Sequence, residues 1–299
     1  MPSLPQLRAF VAVVDHATFT GAASALGVSQ SGVSHALATL EKEAGGRLVE
    51  RDVPVRATGL GERLLPHARA ALTSVDAFTV ESTARRHVGT VRLAAVPTVC
   101  QGLMPALLHG WARALPDVRV QVFEGDDDEL PVWLESGTVD AAVLVDPSPV
   151  PPGARIVARD DFRAVVRRDH PLADEPAIDL DELHEDGLLV SAGGCEAQVR
   201  RMHADAGLPF RAAQHVRELA TMMRMVAEGI GVSIMPALGG TMLPPELTMR
   251  PLHPSFVRTL VLTGPQQRPW HPLVRTLVDA TGTEPVDATH PRPAGARTA

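Results

Sequence analysis

The chain has 299 residues, 45% of them hydrophobic and 21% charged, and a formal net charge of −7. That length and apolar content are enough for two packed domains, no window is long or apolar enough to span a bilayer, and two cysteines are too few for a disulfide scaffold. Residues 1–89 hold nine Lys/Arg and eight Asp/Glu, leaving 19 and 27 for the remainder, so neither part is a bulk cation; contact with nucleic acid would depend on a few placed residues rather than on a basic patch.

From Leu7 to Val14 apolar residues recur at helical spacing, and Asp15-His16-Ala17 stops them. Thr18 or Thr20 is then an N-cap for a short helix of small residues, Gly21 to Leu26. Gly27 suits a left-handed helix end, Val28 is expected to plug the core, and Ser29 caps the next helix. Val33, Leu37 and Leu40 form that helix's inward stripe. Its opposite face carries Gln30, Ser31, Ser34, His35, Ala38 and Thr39, whose amide, hydroxyl and imidazole groups match the hydrogen-bonding edges of bases in a major groove. Taken singly, these residues are equally an ordinary solvated face; their order is what points to DNA. Arg47 to Thr58 reads as two short extended segments around a turn containing Pro54, a wing beside the helices. A long helix follows to about Glu81, with Leu64, Leu65, Ala68, Leu72, Val75 and Phe78 on one stripe. An amphipathic helix of that length needs a partner.

In "LRAFVAVVDHATFTGAASALGVSQSGVSHALATLEKEAGGRLVER" and "VRATGLGERLLPHAR" the chain resembles the LysR-type transcriptional regulators. The resemblance spans about residues 4–282. It implies an α/β chain: a winged helix-turn-helix over residues 1–60, a linker and dimerisation helix over 61–86, and a bilobed, periplasmic-binding-protein-like (type 2) effector domain over 87–282. It implies base readout by Gln30, Ser31, Ser34 and His35, and phosphate contacts by Thr18, Thr20, Arg51, Arg56 and Thr58. The implied partners are double-stranded DNA, further copies of the chain as a dimer or dimer of dimers, a small-molecule effector, and RNA polymerase. The sequence departs from many relatives at His35, Ala36 and Val49, and the wing turn Asp52-Val53-Pro54 lacks a basic tip.

Beyond Arg85 to Gly89 the residues themselves alternate. A strand to Val96, a helix over Leu103 to Ala114, a strand at Val118 to Phe123, a helix over Glu129 to Ser136 and a strand at Asp140 to Val145 predict parallel sheet covered by helices. Leu188 to Val190 opens a second unit, with helices near Gln198 to Ala206 and over Glu218 to Glu228 and a strand over Gly231 to Pro236. Leu260 to Leu262 and a helix from His271 to Ala280 return to the first. Residues 283–299, rich in Pro, Thr, Gly and Ala without apolar period, are expected to be disordered.

Ligands of open α/β sheets sit beyond the carboxyl ends of strands. That selects Pro97, Thr98, Val99 and Cys100, then Gly125 and Asp146, then Ser191, Ala192, Gly193 and Cys195, and Leu219 and Thr221 from the facing lobe. Thr98 and Ser191 rank first, although either hydroxyl could simply cap a helix. Cys100 and Cys195 fall in loops facing one cleft; packing as small apolar groups outweighs a redox switch, since no CxxC is present. The twelve His show no metal spacing, and no GxSxG, phosphate-binding loop or GxGxxG occurs, so neither enzyme activity, metal nor cofactor is expected. A sequestration or transport binder is the competing reading of the bilobed half alone. The start, Met1 to Pro5, has neither a basic region nor an apolar signal core, which predicts a cytoplasmic protein without membrane contact.

Overall fold

The computed structural model describes residues 1–82, 88–192 and 194–289. Three helices, α1 (Leu4–His16), α2 (Phe19–Leu26) and α3 (Gln30–Ala44), pack around Phe10, Val13, Ala22, Val33, Leu37 and Leu40. Thr18, not Thr20, is the cap of α2, accepting from Gly21 N–H at 3.0 Å, and Ser29 caps α3 by accepting from Gly32 N–H at 3.1 Å. Gly27 takes the left-handed conformation, φ 66°. Val28 does not plug the core: it is 53% exposed, because its backbone N–H returns to Ala23 O and closes the helix end while its side chain faces out.

A two-stranded wing, β1 (Val49–Glu50) antiparallel to β2 (Arg56–Ala57), follows. Then comes α4 (Gly59–Ser82), capped by Thr58, whose Oγ1 accepts from Gly61 N–H. A Cβ at Gly61 would lie 2.0 Å from Leu48 O, so only glycine lets α4 start this close to the wing. Leu64, Leu65 and Ala68 close the three-helix core, while Phe78 is 75% exposed near the far end. Arg69, buried on α4, pairs with Asp15 of α1 through both terminal nitrogens. The expected linker over 61–86 therefore begins two residues early, and its last four residues lie outside the described ones.

The first lobe of the C-terminal domain contains β3 (Gly89–Ala95), α5 (Pro97–Gly102), α6 (Met104–Ala114), β4 (Val118–Glu124), α7 (Glu129–Ser136) and β5 (Ala141–Val145). The expected single helix from Leu103 is instead preceded by α5, which approaches the 3-10 turn Ala237–Met242 so closely that a Cβ at Gly102 would lie 2.4 Å from Leu238 O. The long strand β6 (Arg155–Arg167) crosses to the second lobe, made of β7 (Ile178–Asp179), β8 (Leu188–Ser191), α8 (Glu196–Asp205), β9 (Gln214–Val216), α9 (Leu219–Ala227), β10 (Val232–Pro236) and β11 (Leu247–His253). The chain returns through β12 (Val257–Thr263), α10 (Pro272–Ala280) and β13 (Val286–Asp287).

Strands β4, β3 and β5 pair in parallel, as do β10, β8 and β9. The wholly parallel sheets expected from the alternation are not what forms: β6 runs antiparallel to β10, β11 and β12, and β12 antiparallel to β5, because these strands carry the chain out of one lobe and back. On β6, residues 155–161 pair with β12 and residues 162–167 with β10 and β11, which puts the crossing point at Asp161 and Phe162. Each lobe has its own apolar core, around Val91, Leu93, Leu134 and Leu277 in one and Ile178, Val190, Val199 and Ile234 in the other.

The tail departs from the expectation of disorder. β13 lies parallel to β6 at Ala158 and Arg159, Ala288 N–H donates to Arg159 O, and Arg163 beyond the crossing point donates to Thr289 O at 2.6 Å. Backbone pairing with an available strand edge replaces the apolar period that the segment lacks. Residues 290–299 of the expected disordered tail lie outside the described ones.

Candidate nucleic-acid interface and effector cavity

The face of α3 opposite Val33, Leu37 and Leu40 presents Gln30, Ser31 and His35 exposed, with Ser34 half-buried beside them. These four side chains occupy successive turns at the start of one helix, the geometry in which a recognition helix reaches base edges. Ser31 Oγ is 3.0 Å from Ser29 Oγ, so the cap and the face share a hydrogen bond. Thr20 and Arg56 are exposed on either side of α3 in the chain. Arg51 is turned toward Glu41, its Nη2 at 3.8 Å; the Glu41 carboxylate is buried and accepts from Leu48 N–H at 2.9 Å, while the arginine side chain itself stays exposed. The hydroxyls of Thr18 and Thr58 are engaged in capping, and Thr58 also donates to Arg47 O at 2.6 Å; these two residues set backbone geometry at the interface.

Between the lobes lies a small cavity of about 30 Å³. Of the residues singled out from sequence, Pro97, Thr98, Ser191, Cys195 and Leu219 line it. The others do not. Val99 is sealed in the first lobe's core, and Cys100, one residue on, points its thiol back to Ala95 O. Gly125 sits under the ring of Trp133, in a neighbouring groove with Glu124 and Glu129. Asp146 exchanges hydrogen bonds with Thr259 of β12, giving N–H to O and taking N–H on Oδ1, and so acts as a strand-end clasp. Ala192 N–H pairs with Val216 O, Thr221 is exposed on α9, and Gly193 lies outside the described residues.

Asp126, Asp127, Gln198, Arg217 and Arg258 also line the cavity, and of these Gln198, Arg217 and Arg258 escaped the sequence reading as ligand-facing groups. Arg258 stands directly across from Asp160 in the β12–β6 register. Both are buried, at 3% and 0% exposure. Its Nε and Nη2 donate to Asp160 Oδ2 at 3.1 and 2.7 Å, and Nη2 also donates to Thr98 Oγ1 at 2.8 Å. Burial pushes the Asp160 carboxyl above its ordinary range despite the arginine. The one signal available was a charged residue at an inward position of a strand, two residues before Leu260-Val261-Leu262, which demands a buried partner.

Two contacts close the lobes over the cavity. Gln198 of α8 donates through Nε2 to Asp127 Oδ2 at 2.7 Å, and Arg217 Nη2 lies 3.7 Å from Asp126 Oδ2. Desolvation raises both carboxyls, joined at Asp126 by repulsion from Glu129 and opposed at Asp127 by the Gln198 hydrogen bond. Cys195 sits at the start of α8, where burial pushes its thiol up to about 11; that of Cys100 is pushed up to about 12 by burial and by Glu124. Among the described residues no group of His, Cys, Asp and Glu could hold a metal ion, and no helix is long and apolar enough to cross a membrane.

A winged helix-turn-helix joined by a long helix to a bilobed, cleft-bearing α/β domain defines a DNA-binding transcription regulator with an effector domain. Residues 4–62 match the family described as bacterial regulatory helix-turn-helix protein, lysR family, and residues 84–284 match the LysR substrate binding domain. The chain belongs to the LysR family. It is 38% identical over 245 residues, 79% of this chain and 78% of the relative, to a protein of Mycobacterium avium named "Probable hydrogen peroxide-inducible genes activator". A variant of full-length OxyR from Pseudomonas aeruginosa shares its fold with TM-score 0.73 at 24% identity, covering 94% of this chain and 98% of that one. A hydrogen peroxide-bound cysteine mutant of Corynebacterium glutamicum OxyR, at 25% identity and TM-score 0.57, covers 94% and 90%.

Proposed function

We propose that this regulator reads DNA with Gln30, Ser31, Ser34 and His35, holds phosphates with Arg51, Arg56 and Thr20, and changes its grip when a very small effector occupies the cavity between its lobes. The observation that carries the reading is the cavity itself: about 30 Å³, walled by Thr98, Ser191, Cys195 and Arg258 and closed by contacts from both lobes. That space suits a small ligand, and it adjoins the groove that shares Pro97, Asp126, Arg217 and Leu219 with it. Hydrogen peroxide is such a ligand, and the names of the Mycobacterium avium and Corynebacterium glutamicum proteins supply it as the candidate.

A ligand shifts an equilibrium only through different affinity for its two states. Occupancy that favours one lobe angle is therefore transmitted through β6, and through α4 where it packs on α7 and α10, to the paired DNA-reading helices. Pairing through α4 doubles the phosphate contacts that one nearly neutral N-terminal domain lacks. We place this activity in the cytoplasm, as a dimer or dimer of dimers whose output is contact with RNA polymerase, and assign it no enzymatic role.

Cys195 at the cavity wall favours a second reading, in which peroxide oxidises its sulfur: the O–O bond breaks, an S–O bond forms, and the thiol becomes a sulfenic acid with release of water. Burial keeps Cys195 a thiol at neutral pH, which favours reversible occupancy over fast oxidation. A gel-shift titration with peroxide on the DNA upstream of the gene separates the two. Reversible binding gives a response that catalase undoes without reductant and that survives in Cys195→Ser. Oxidation gives one that needs a thiol reductant and is lost in Cys195→Ser. A sequence-preferring complex indifferent to peroxide in both proteins refutes the effector assignment and leaves the regulator.

A further inference from the structure

The chain passes between the lobes twice, along β6 at Asp161 and Phe162 and again between β11 and β12. Phe162 N–H donates to Phe256 O at 2.9 Å and ties the two passages together. On either side of this place each sheet is held by its own strand ladder and apolar core, so a change of lobe angle is absorbed here. Residues 286–289 lie across it.

They are anchored to the first lobe. Val286 and Asp287 pair with Ala158 and Arg159, Ala288 N–H donates to Arg159 O at 2.9 Å, and the Ala288 side chain packs on that lobe's core. One residue further on, the segment is gripped from the other side: the Thr289 carbonyl accepts from Arg163 Nη2 at 2.6 Å, and Arg163 belongs to the part of β6 that pairs with β10 and β11 of the second lobe. Arg163 is 8% exposed, and its Nε donates at 3.1 Å to Oδ1 of Asp161, two residues back on the same face of the strand, with Nη2 turned to the tail. Thr289 N–H donates to Asp287 Oδ1 at 3.0 Å, which fixes the turn that presents the carbonyl. Anchor and grip are one residue apart, about 3.8 Å between Cα atoms, so the segment has no slack. A rotation at Asp161 and Phe162 must break the bond from Arg163 or pull Ala288 from Arg159.

We infer that residues 286–289 are a strap across the hinge, an intramolecular ligand that fits one lobe angle better than others and so sets the regulator's resting conformation. Its grip is a hydrogen bond from a buried guanidinium, the stronger kind. Anything that favours a different lobe angle works against the strap, which therefore also sets how much differential affinity a switch requires.

The test is hydrogen exchange read by mass spectrometry on the full chain, on chains ended after Gly282 and after Thr289, and on Asp161→Asn/Arg163→Met, which removes the grip without stranding a charge and keeps β13. Peptides covering residues 160–164 and 254–258 are expected to exchange about tenfold faster in the Gly282-ended chain and in the double variant alike. The chain ended after Thr289 exchanges as the full chain does. Peptides over residues 91–95 and 188–190, inside the two lobes, keep their protection and report the fold. Adding the double variant to the Gly282-ended chain brings no further increase, since both remove the same bond. On the DNA upstream of the gene, the bend angle measured with circularly permuted fragments shifts in the two strapless proteins and not in the chain ended after Thr289. Faster exchange confined to residues 156–159, the strand edge that β13 covers, or effects that add when combined, overturns the strap. Faster exchange at the crossing strands with unchanged DNA bend and affinity overturns its regulatory role.

Discussion

Replacing Arg258 by Met should destabilise the C-terminal domain far more than loss of a surface ion pair does. The guanidinium and its partner Asp160 are 3% and 0% exposed, so removing the cation strands a carboxylate with no route to water. What is left to it is the N–H of Leu238 at 3.2 Å. Breaking a buried pair from one side costs about 3–5 kcal/mol, and in a domain of this size each kcal/mol moves the melting midpoint by about 2–4 °C, giving an expected fall of about 6–20 °C by scanning calorimetry. Asp160→Asn in the same chain should recover most of it, since a neutral amide keeps the Leu238 hydrogen bond without the charge. The loss should also shrink in acid. Burial raises the folded carboxyl above its unfolded value, so the protonated fold is favoured at low pH and stability declines as pH rises through the folded value. A loss of under about 1 kcal/mol, the size of an exposed pair, or a double variant no better than Arg258→Met, would refute the claim that the pair is buried and isolated.

Three further outcomes are expected. Ser34→Ala/His35→Ala should flatten the difference between specific and non-specific DNA affinity while leaving the salt dependence of binding unchanged, read by gel shift at two salt concentrations; a reduced salt slope would mean phosphate contact instead. Ending the chain at Gly282 should lower the effector domain's melting midpoint, because the strand pairing of β13 and the Arg163–Thr289 bond across the lobe junction are lost; an unchanged midpoint would show that the strand adds nothing. His271 caps α10 by accepting from Leu273 N–H on Nδ1, and burial lowers its pKa. Its stabilising contribution is therefore complete above about pH 6.5 and lost as pH falls through the lower folded value. His271→Asn, which preserves a cap without titrating, should weaken the dependence of the melting midpoint on pH between 7 and 5.

The DNA-reading half was legible in the sequence because its signals are local. A cap, a left-handed glycine and an apolar stripe act within one helix, so Gly27, Ser29, Val33 and Leu37 reveal their roles by spacing alone, while the cap of α2 stayed open between Thr18 and Thr20 until the fold placed it on Thr18. Val28 was misjudged because a valine next to a helix-ending glycine follows the direction of the turn rather than its own hydrophobicity. In the effector domain, the strand-end rule found Thr98, Ser191 and Cys195 but added Val99, Cys100 and Asp146, since it selects a loop without saying which way each side chain in it turns.

What the sequence determined by itself was the order and type of elements, the two-part architecture, the exposed polar face of α3 and the loops that converge on the cleft, all of which follow from periodicity and turn chemistry within a few residues. Only the tertiary structure decided the cavity's chemistry. Arg258 meets Asp160 and Thr98, 98 and 160 residues away, and Gln198 meets Asp127, 71 residues away, through strand register and lobe closure. The tail's strand was likewise decided by the free edge of β6 that it meets. Pairings of this kind are set by which surfaces the fold brings together, and a charge or amide in a strand or helix carries no local mark of the partner that will satisfy it.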